Sequence, residues 1–437
     1  MSSIVVLMGL LVLSYIGTLL AGKNAKGTSS GIEFLALGVL VGPHAFALVE
    51  RATVQQFGPL VQTALAWFGL VVGLDFGRIG GQRVPGRQVV IGVLLSALAG
   101  LTVTLAVFGL LQVVKVPYLG ASQQALFAGG VGAVLAETSR SAIGWVTARH
   151  GAKGTVSDLL AVVASADDLV PIAAVGVLFA YAPHDNVRIL LPSSAWVGIT
   201  ALVGVVIAVV TAILLRGAAG YQVWGALAGT VLLTLGCTAR FGLSPMFGTF
   251  VLGVTLAGLA PNARALRRLV VPTERPVMLP LLLLAGARLD MRSIADAKIV
   301  ILVLGFAMLV RIVAKYGSGL LLRAAAPTAR HTSPHLGFGL LSAGPITITI
   351  GLASALRFSG LLGEALLTLA VGAVVVGELF SPLALRRELV AVGEATPPEP
   401  AARPSLPPPS TTDAEQELAG TGEHWTTGEL PARGDES

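Results

Sequence analysis

Thirteen apolar segments of membrane-spanning length, separated by short polar turns, constrain the fold of this 437-residue chain most. A helix needs about 20 apolar residues to cross a bilayer, and only helices or closed barrels satisfy their backbone hydrogen bonds in lipid. Charged residues make up only 12% of the chain, against about 25% in soluble proteins. We therefore predict an all-α polytopic membrane protein. The segments are 4–21, 31–49, 57–76, 88–114, 122–148, 156–182, 194–216, 221–239, 242–259, 270–288, 296–322, 335–356 and 360–385.

Two adjacent aspartates, Asp167 and Asp168, lie near the middle of the apolar run from Leu159 to Ala180. One ionised carboxylate at this depth costs roughly 2.5–3.5 kcal/mol, and two neighbouring charges also repel each other. A cation, a proton or a basic partner must compensate for them. The pair therefore predicts a site that handles ions.

Other ionisable residues also lie inside the predicted spans. Glu137 and Arg140 are three residues apart and form a possible neutral pair that modulates the site. Arg311 and Lys315 are one turn apart and share a helix face. Either base can pair with an aspartate, or extend to the membrane surface. We expect Asp75 to end its helix at the surface.

Two predicted spans are interrupted. The fifth contains the polar run 137–141, and the twelfth contains Gly344-Pro345 near its middle. Proline frees a backbone carbonyl, which is tolerated at this depth only where it lines a cavity or meets a partner. The two spans are the second members of spans four to six and eleven to thirteen. This correspondence predicts inverted repeats whose two broken helices cross at the site.

Basic residues of the predicted loops are unevenly distributed, with sixteen on one side and eight on the other. The positive-inside rule then places the N-terminus outside and the C-terminus in the cytoplasm of a multi-pass plasma-membrane protein. The net charge of +6 reflects topology and contact with membrane lipid rather than nucleic-acid binding. Residues 389–437 carry nine acids and eight prolines, which predicts a disordered cytoplasmic tail.

The single cysteine, Cys237, excludes a disulfide within the chain or a thiolate metal site. No nucleophile–base arrangement or metal-ligand cluster is recognisable in the sequence. We therefore expect neither an enzyme nor a cofactor.

Six motifs follow one another along the membrane part. They are Gly-x-x-x-Gly-Pro at 38–43, the run 68–75 ending in Asp75, Thr138-Ser139, Asp167-Asp168, the run 242–253 with Ser244-Pro245, and Lys315 with Arg323 eight residues later. In these motifs the chain resembles the monovalent cation:proton antiporter superfamily, in particular bacterial sodium/proton exchangers of the NhaA and NapA type with an Asp-Asp motif.

The resemblance implies an NhaA-like fold of about thirteen transmembrane helices, a homodimer, and elevator-like movement of a core domain that gives alternating access. The implied parts are a dimerisation domain at 1–79 and 221–289, a core transport domain at 88–183 and 296–388, a linker helix at 194–216 and the tail at 389–437.

The implied activity is electrogenic exchange of protons for a monovalent cation, Na⁺ or Li⁺. Asp168 is the expected cation ligand and proton acceptor, beside Asp167, and Lys315 (with Arg311 as the alternate) is the expected partner of Asp167. The expected oxygen shell, of the kind that a hard cation requires, is completed by Thr138, Ser139 and freed carbonyls near Gly344 and Pro345.

Two alternatives remain open at this point. One is a K⁺/H⁺ antiporter or a Kef-like K⁺ efflux transporter. The other is a non-transporting membrane sensor or scaffold, suggested by Arg140 beside the site and by the acidic tail.

Overall fold

Helices make up almost all of the described chain. The computed structural model describes residues 3–21, 31–43, 45–79, 82–114, 120–182, 191–217, 221–260, 262–289, 298–358 and 360–395. Most of the predicted tail, from 396 onward, lies outside the described residues. Within them, eight helices are long and apolar enough to cross a membrane. The described chain is therefore a polytopic helical membrane protein, whereas the count of thirteen spans and the NhaA-like topology stay predictions.

The first half of the described chain contains nine helices and one short hairpin. The hairpin joins α4 to α5. These elements are α1 (Ser3–Ala21), α2 (Ile32–Val41), α3 (Arg51–Gln56), α4 (Gly58–Asp75), β1 (Arg78–Ile79), β2 (Gln82–Arg83), α5 (Gly86–Val114), α6 (Ala121–Ala136), α7 (Arg140–Arg149), α8 (Thr155–Asp167) and α9 (Leu169–Tyr181).

The second half of the described chain contains two 3₁₀ helices, Val271–Thr273 and Pro327–Ala329, and nine further α-helices. The α-helices are α10 (Ser193–Leu214), α11 (Tyr221–Arg240), α12 (Pro245–Leu259), α13 (Ala263–Val270), α14 (Glu274–Arg288), α15 (Lys298–Ala325), α16 (Leu336–Gly339), α17 (Pro345–Arg357) and α18 (Leu361–Ala391).

Several predicted spans are shorter as helices than expected, and 31–49 is the shortest of them. Segment 31–49 is helical over α2 alone, ten residues, because the chain turns out of the helix at Gly42 and Pro43 follows. A proline cannot continue the hydrogen-bonding pattern of the preceding helix. The helix is therefore too short to span a bilayer by itself.

Most of the helices pack together in two sets. One set contains α1, α2, α4, α10 to α12 and α14, and the other contains α5 to α9 and α15 to α18. In the first set α4 lies along α12 at very short range. A Cβ on Gly253 would lie 2.5 Å from the carbonyl oxygen of Leu70, so this helix contact requires glycine. The motif glycines of 242–253 thus include one that serves packing.

The start of α8 is held by a carboxylate from beyond the end of α18. Glu394 accepts hydrogen bonds from the backbone N–H groups of Val156 (2.7 Å) and Ser157 (2.8 Å), and from the Ser157 hydroxyl (2.7 Å). These N–H groups have no partner within their own helix. Glu394 therefore caps the helix that carries the aspartate pair.

Candidate functional site

Two non-helical stretches, 137–139 and 340–344, interrupt the helices of the second set and pair with each other. They separate α6 from α7 and α16 from α17. The backbone N–H of Ser139 donates to the carbonyl of Ser342 at 3.0 Å. Pro345 occupies the first turn of α17, where its missing N–H removes no helix hydrogen bond. It therefore begins a helix rather than kinking one.

Arg311 of α15 binds the backbone at this crossing. Its guanidinium donates to the carbonyls of Leu135 (3.2 Å), Glu137 (3.1 Å), Leu341 (2.9 Å) and Ser342 (3.4 Å), and the residue is 1% exposed. The sequence predicts that freed carbonyls near 344 bind a cation. Two carbonyls of that stretch instead accept from Arg311, so their positive partner belongs to the protein.

Glu137 caps the helix that begins after the second interruption. Its carboxylate accepts from the N–H of Gly344 at 3.3 Å, and from the N–H and hydroxyl of Thr347, each at 2.5 Å. A negative charge at a helix N-terminus is stabilised by the helix dipole. Any side chain at 344 would collide with this arrangement, because a Cβ there would lie 2.5 Å from the Ser139 hydroxyl oxygen.

Arg140 turns away from Glu137 and joins a four-residue ion network, here called the Asp75 cluster. Its guanidinium lies 2.5 Å from Asp75 and 3.7 Å from Glu274, and Arg267 lies 2.5 Å from the other Asp75 oxygen. Glu137 and Arg140 therefore do not form the neutral pair considered from the sequence. The extended backbone between them removes the three-residue helical spacing on which that pair depends.

Asp75 is also not a surface residue. It is 7% exposed and receives two guanidinium groups. The sequence does not predict that Asp75, Arg267 and Glu274 form an ion network with Arg140. The Asp75–Arg267 contact joins residues 192 positions apart, and the only local signal is an acid that ends an apolar span.

Asp167 lies at the end of α8 and faces the first interruption. One of its oxygens accepts from the backbone N–H of Thr138 at 2.9 Å and lies 3.7 Å from the Lys315 ammonium. Lys315 also donates to the Thr138 hydroxyl (2.7 Å) and to the Ala136 carbonyl (2.5 Å). The second Asp167 oxygen is buried without a hydrogen bond to any described residue. The structure thus brings Asp167, Lys315 and Thr138 together.

Asp168 occupies the junction between α8 and α9. Pro171 has no N–H, so the Asp167 carbonyl lacks its usual helical partner and accepts instead from the Ser96 hydroxyl at 3.2 Å. The Asp168 residue is 3% exposed, and its carboxylate makes no hydrogen bond or ion pair with a described residue. Arg140 attracts it electrostatically without forming an ion pair with it.

The remaining predicted ligand, Ser139, has another use. Its hydroxyl accepts from the N–H of Ala142 at 3.3 Å and lies 2.8 Å from the Ser141 hydroxyl, so it caps α7. Among the described residues, no group of three or more His, Cys, Asp or Glu side chains could hold a metal ion. Two adjacent carboxylates, one of them beside a lysine, are what the site offers.

The fold of this chain is similar to that of solved protein structures. No protein-family profile and no curated protein matches the chain. Solved structures do match, and two of them are of the sodium proton antiporter MjNhaP1 from Methanocaldococcus jannaschii. The chain therefore shares the fold of a solved polytopic membrane protein.

The two matches are similar in extent. The MjNhaP1 structure at pH 8 aligns with a TM-score of 0.64 and 16% identity, over 87% of this chain and 98% of that chain. The MjNhaP1 structure from an electron-microscopy map aligns with a TM-score of 0.56 and 16% identity, over 89% and 98%. At this identity the likeness shows the fold, and the activity has to be argued from the site.

Proposed function

We propose that this chain exchanges protons for a monovalent cation, Na⁺ or Li⁺, across the membrane, and that Asp168 carries the exchange. The supporting observation is that Asp168 is buried without a hydrogen bond or ion pair to a described residue. A buried carboxylate without a protein partner is expensive unless it is neutralised. A bound proton and a bound cation both neutralise it, and the two compete for the same oxygens.

The formal charges around the crossing support one such monovalent ligand. When all groups are ionised, three carboxylates stand against two bases, and the Asp75 cluster is balanced within itself. One proton or one monovalent cation therefore neutralises the whole site. The three carboxylates are Glu137, Asp167 and Asp168, and the two bases are Arg311 and Lys315.

The oxygen atoms available to the cation lie on the aspartate pair. The second oxygen of Asp167 is buried without a hydrogen bond to any described residue, and both Asp168 oxygens are free of described partners. Thr138, which binds the other Asp167 oxygen through its N–H, has a nearby hydroxyl to which Lys315 already donates. Such oxygen donors suit a hard cation.

Lys315 gives the site a second group that exchanges a proton. Its ammonium lies 3.7 Å from Asp167, so a cation that approaches Asp167 weakens the hold on the lysine proton. Release of that proton together with the one from Asp168 moves two protons for one cation and leaves the cation-bound site, with Lys315 neutral, one net negative charge. Exchange is then electrogenic, and each net charge contributes roughly 2.3 kcal/mol per 100 mV of membrane potential.

Movement is proposed to occur between the two helix sets. The second set carries the whole aspartate site, and the first set contains the closely packed α4 and α12. We assign the second set to an elevator-like core domain and the first to a dimerisation domain, with α10 as the linker. The proposed orientation places the hairpin end of the bundle in the cytoplasm. The solved structures of similar fold are described as a sodium proton antiporter.

The test is proton release from liposomes that contain the purified chain, challenged with Na⁺, Li⁺ or K⁺ from weakly acidic to alkaline pH. Na⁺ or Li⁺ should drive proton movement, and a valinomycin-clamped potential should change its rate. Movement driven by K⁺ alone would support potassium exchange instead. The absence of both flux and cation binding would favour a scaffold.

A further inference from the structure

A second concave surface lies away from the aspartate pair, between the β1–β2 hairpin and α13. It encloses about 1470 Å³, and five arginines line it. We call this the basic pocket. Its arginines are Arg78, Arg83, Arg264, Arg267 and Arg268.

Two of these arginines are fixed by the protein. Arg78 donates to the carbonyls of Leu74 (3.2 Å) and Ala257 (3.0 Å), which anchors the hairpin against α4 and α12. Arg267 is bound to Asp75 at 2.5 Å. The pocket therefore has a pre-formed basic wall that does not depend on long, mobile side chains.

The other three arginines, Arg83, Arg264 and Arg268, have no hydrogen-bond or ion-pair partner in the part of the chain that the structure describes, and all three are exposed. Arg264 and Arg268 are four residues apart on α13, where like charges destabilise a helix. On the opposite face of that helix, Leu266 and Val270 are buried. The helix thus holds its two charges toward the pocket side at an energetic cost.

The positive charges also act on one another. Burial and the neighbouring guanidinium groups of Arg83 and Arg267 lower the pKa of Arg78, and Asp75 opposes them. Asp75 already binds Arg140 as well as Arg267. The carboxylate of Asp75 therefore cannot neutralise the five bases of the pocket.

We propose that the basic pocket binds a phosphate-bearing anion, either the headgroup of an anionic phospholipid or a free phosphate. Guanidinium groups present paired N–H donors that match two oxygens of a phosphate. The volume accommodates a headgroup, and the proposed orientation places the pocket at the cytoplasmic leaflet, where anionic lipids attract basic residues.

The pocket is connected to the ion site through the two ion pairs of Asp75 and a longer-range attraction between Arg140 and Asp168. Arg267 belongs both to the pocket and to the Asp75 cluster, and Asp75 in turn holds Arg140, the base that acts on Asp168. An anion that binds Arg267 weakens the ion pair between Arg267 and Asp75. Asp75 then binds Arg140 more strongly, and Arg140 stabilises the ionised form of Asp168 less. This link to exchange rests on the proposed function, whereas the binding itself does not.

The test compares binding by the full chain and two double variants in a neutral detergent. The pocket variant is Arg264→Gln with Arg268→Gln, and the matched control is Arg87→Gln with Arg216→Gln, two exposed arginines that lie outside the pocket. The probes are inorganic phosphate, phosphatidylglycerol and phosphatidylcholine. Binding of each probe is measured by the thermal stabilisation of the protein, and binding of the lipids also by native mass spectrometry of retained lipid.

The wild-type chain and the control should bind phosphatidylglycerol in preference to phosphatidylcholine. The pocket variant should bind it roughly 25-fold more weakly, about fivefold for each arginine removed at a membrane surface. Stabilisation by inorganic phosphate as well would show that the phosphate group alone is sufficient for binding, whereas stabilisation by phosphatidylglycerol only would show that the lipid headgroup is required. Equal affinity of the pocket variant and the control would overturn the proposal.

A second measurement tests separately whether an anion bound in the basic pocket affects ion exchange. Na⁺-driven proton flux in liposomes with and without phosphatidylglycerol should differ for the wild type and the control, and should not differ for the pocket variant. A lipid effect that persists in the pocket variant would overturn the link alone. If no variant transports in any lipid, the proposed function fails while the binding result still stands.

Discussion

Replacing Glu394 by glutamine should loosen the start of α8, the helix that ends at Asp167. One Glu394 oxygen accepts from Val156, and the other accepts twice from Ser157. Glutamine has one acceptor oxygen, so its amide N–H₂ must face the N–H of Val156 or the donors of Ser157. At least one hydrogen bond is lost, and two donors then face each other.

The magnitude follows from these contacts. A hydrogen bond to a charged group contributes about 1.5–3 kcal/mol, and a carboxylate at a helix N-terminus adds about 0.3–1 kcal/mol. Glu394 is partly exposed, and water replaces some of what is lost. We expect Glu394→Gln to lower the free energy of unfolding by about 2 kcal/mol at neutral pH.

The difference should also depend on pH. Burial alone would raise the pKa of Glu394, but its hydrogen bonds from Ser157 and Val156 outweigh this, and the pKa lies below the ordinary value of 4.5. The folded state therefore binds a proton less readily than the unfolded state. The stabilisation is complete above pH 4.5 and is lost as the pH falls through the lowered folded-state pKa.

Unfolding of the full chain by SDS in mixed micelles measures this difference at neutral and acid pH. The matched control is Asp158→Asn, since Asp158 lies in the first turn of the same helix, is exposed and has no hydrogen bond to a described residue. It should change the free energy of unfolding by less than about 0.5 kcal/mol. Equal losses in both variants, or a Glu394→Gln loss that persists at acid pH, would refute the reasoning.

Three further substitutions test other parts of the structure. Arg311→Met should lower the free energy of unfolding by several kcal/mol, because each buried carbonyl left without a donor costs about 1–3 kcal/mol; a thermal midpoint like that of the wild type would contradict this role. Lys315→Gln should shift the pH dependence of cation-driven proton flux, and an unchanged profile would move the role of aspartate partner to Arg311. Gly253→Ala should destabilise by about 1–3 kcal/mol through collision with Leu70, whereas Gly258→Ala, which has open space around it, should not.

The sequence identifies features whose signal is local. Apolar runs of spanning length predict the polytopic helical fold, and a glycine-proline step predicts a break at Gly344. The aspartate pair stands out because two adjacent charges in an apolar run have an obvious energetic cost. Each of these inferences depends on neighbours within one segment.

Contacts between distant segments were not predictable in the same way. The sequence places Glu137 near Arg140, but the extended backbone directs Glu137 to the start of α17 and Arg140 to Asp75. Arg311 and Lys315 look equivalent as bases on one face. Only the crossing shows that Arg311 binds backbone carbonyls, whereas Lys315 lies 3.7 Å from Asp167.

The most direct test of the account is Na⁺-driven proton flux in liposomes that contain the Asp168→Asn variant. Asparagine keeps the size of the side chain but carries no charge and binds no exchangeable proton. Flux should fall to that of empty liposomes, while the exposed Asp158→Asn control transports like the wild type. Wild-type flux from Asp168→Asn would contradict the assignment of Asp168 as the residue that carries protons and cations.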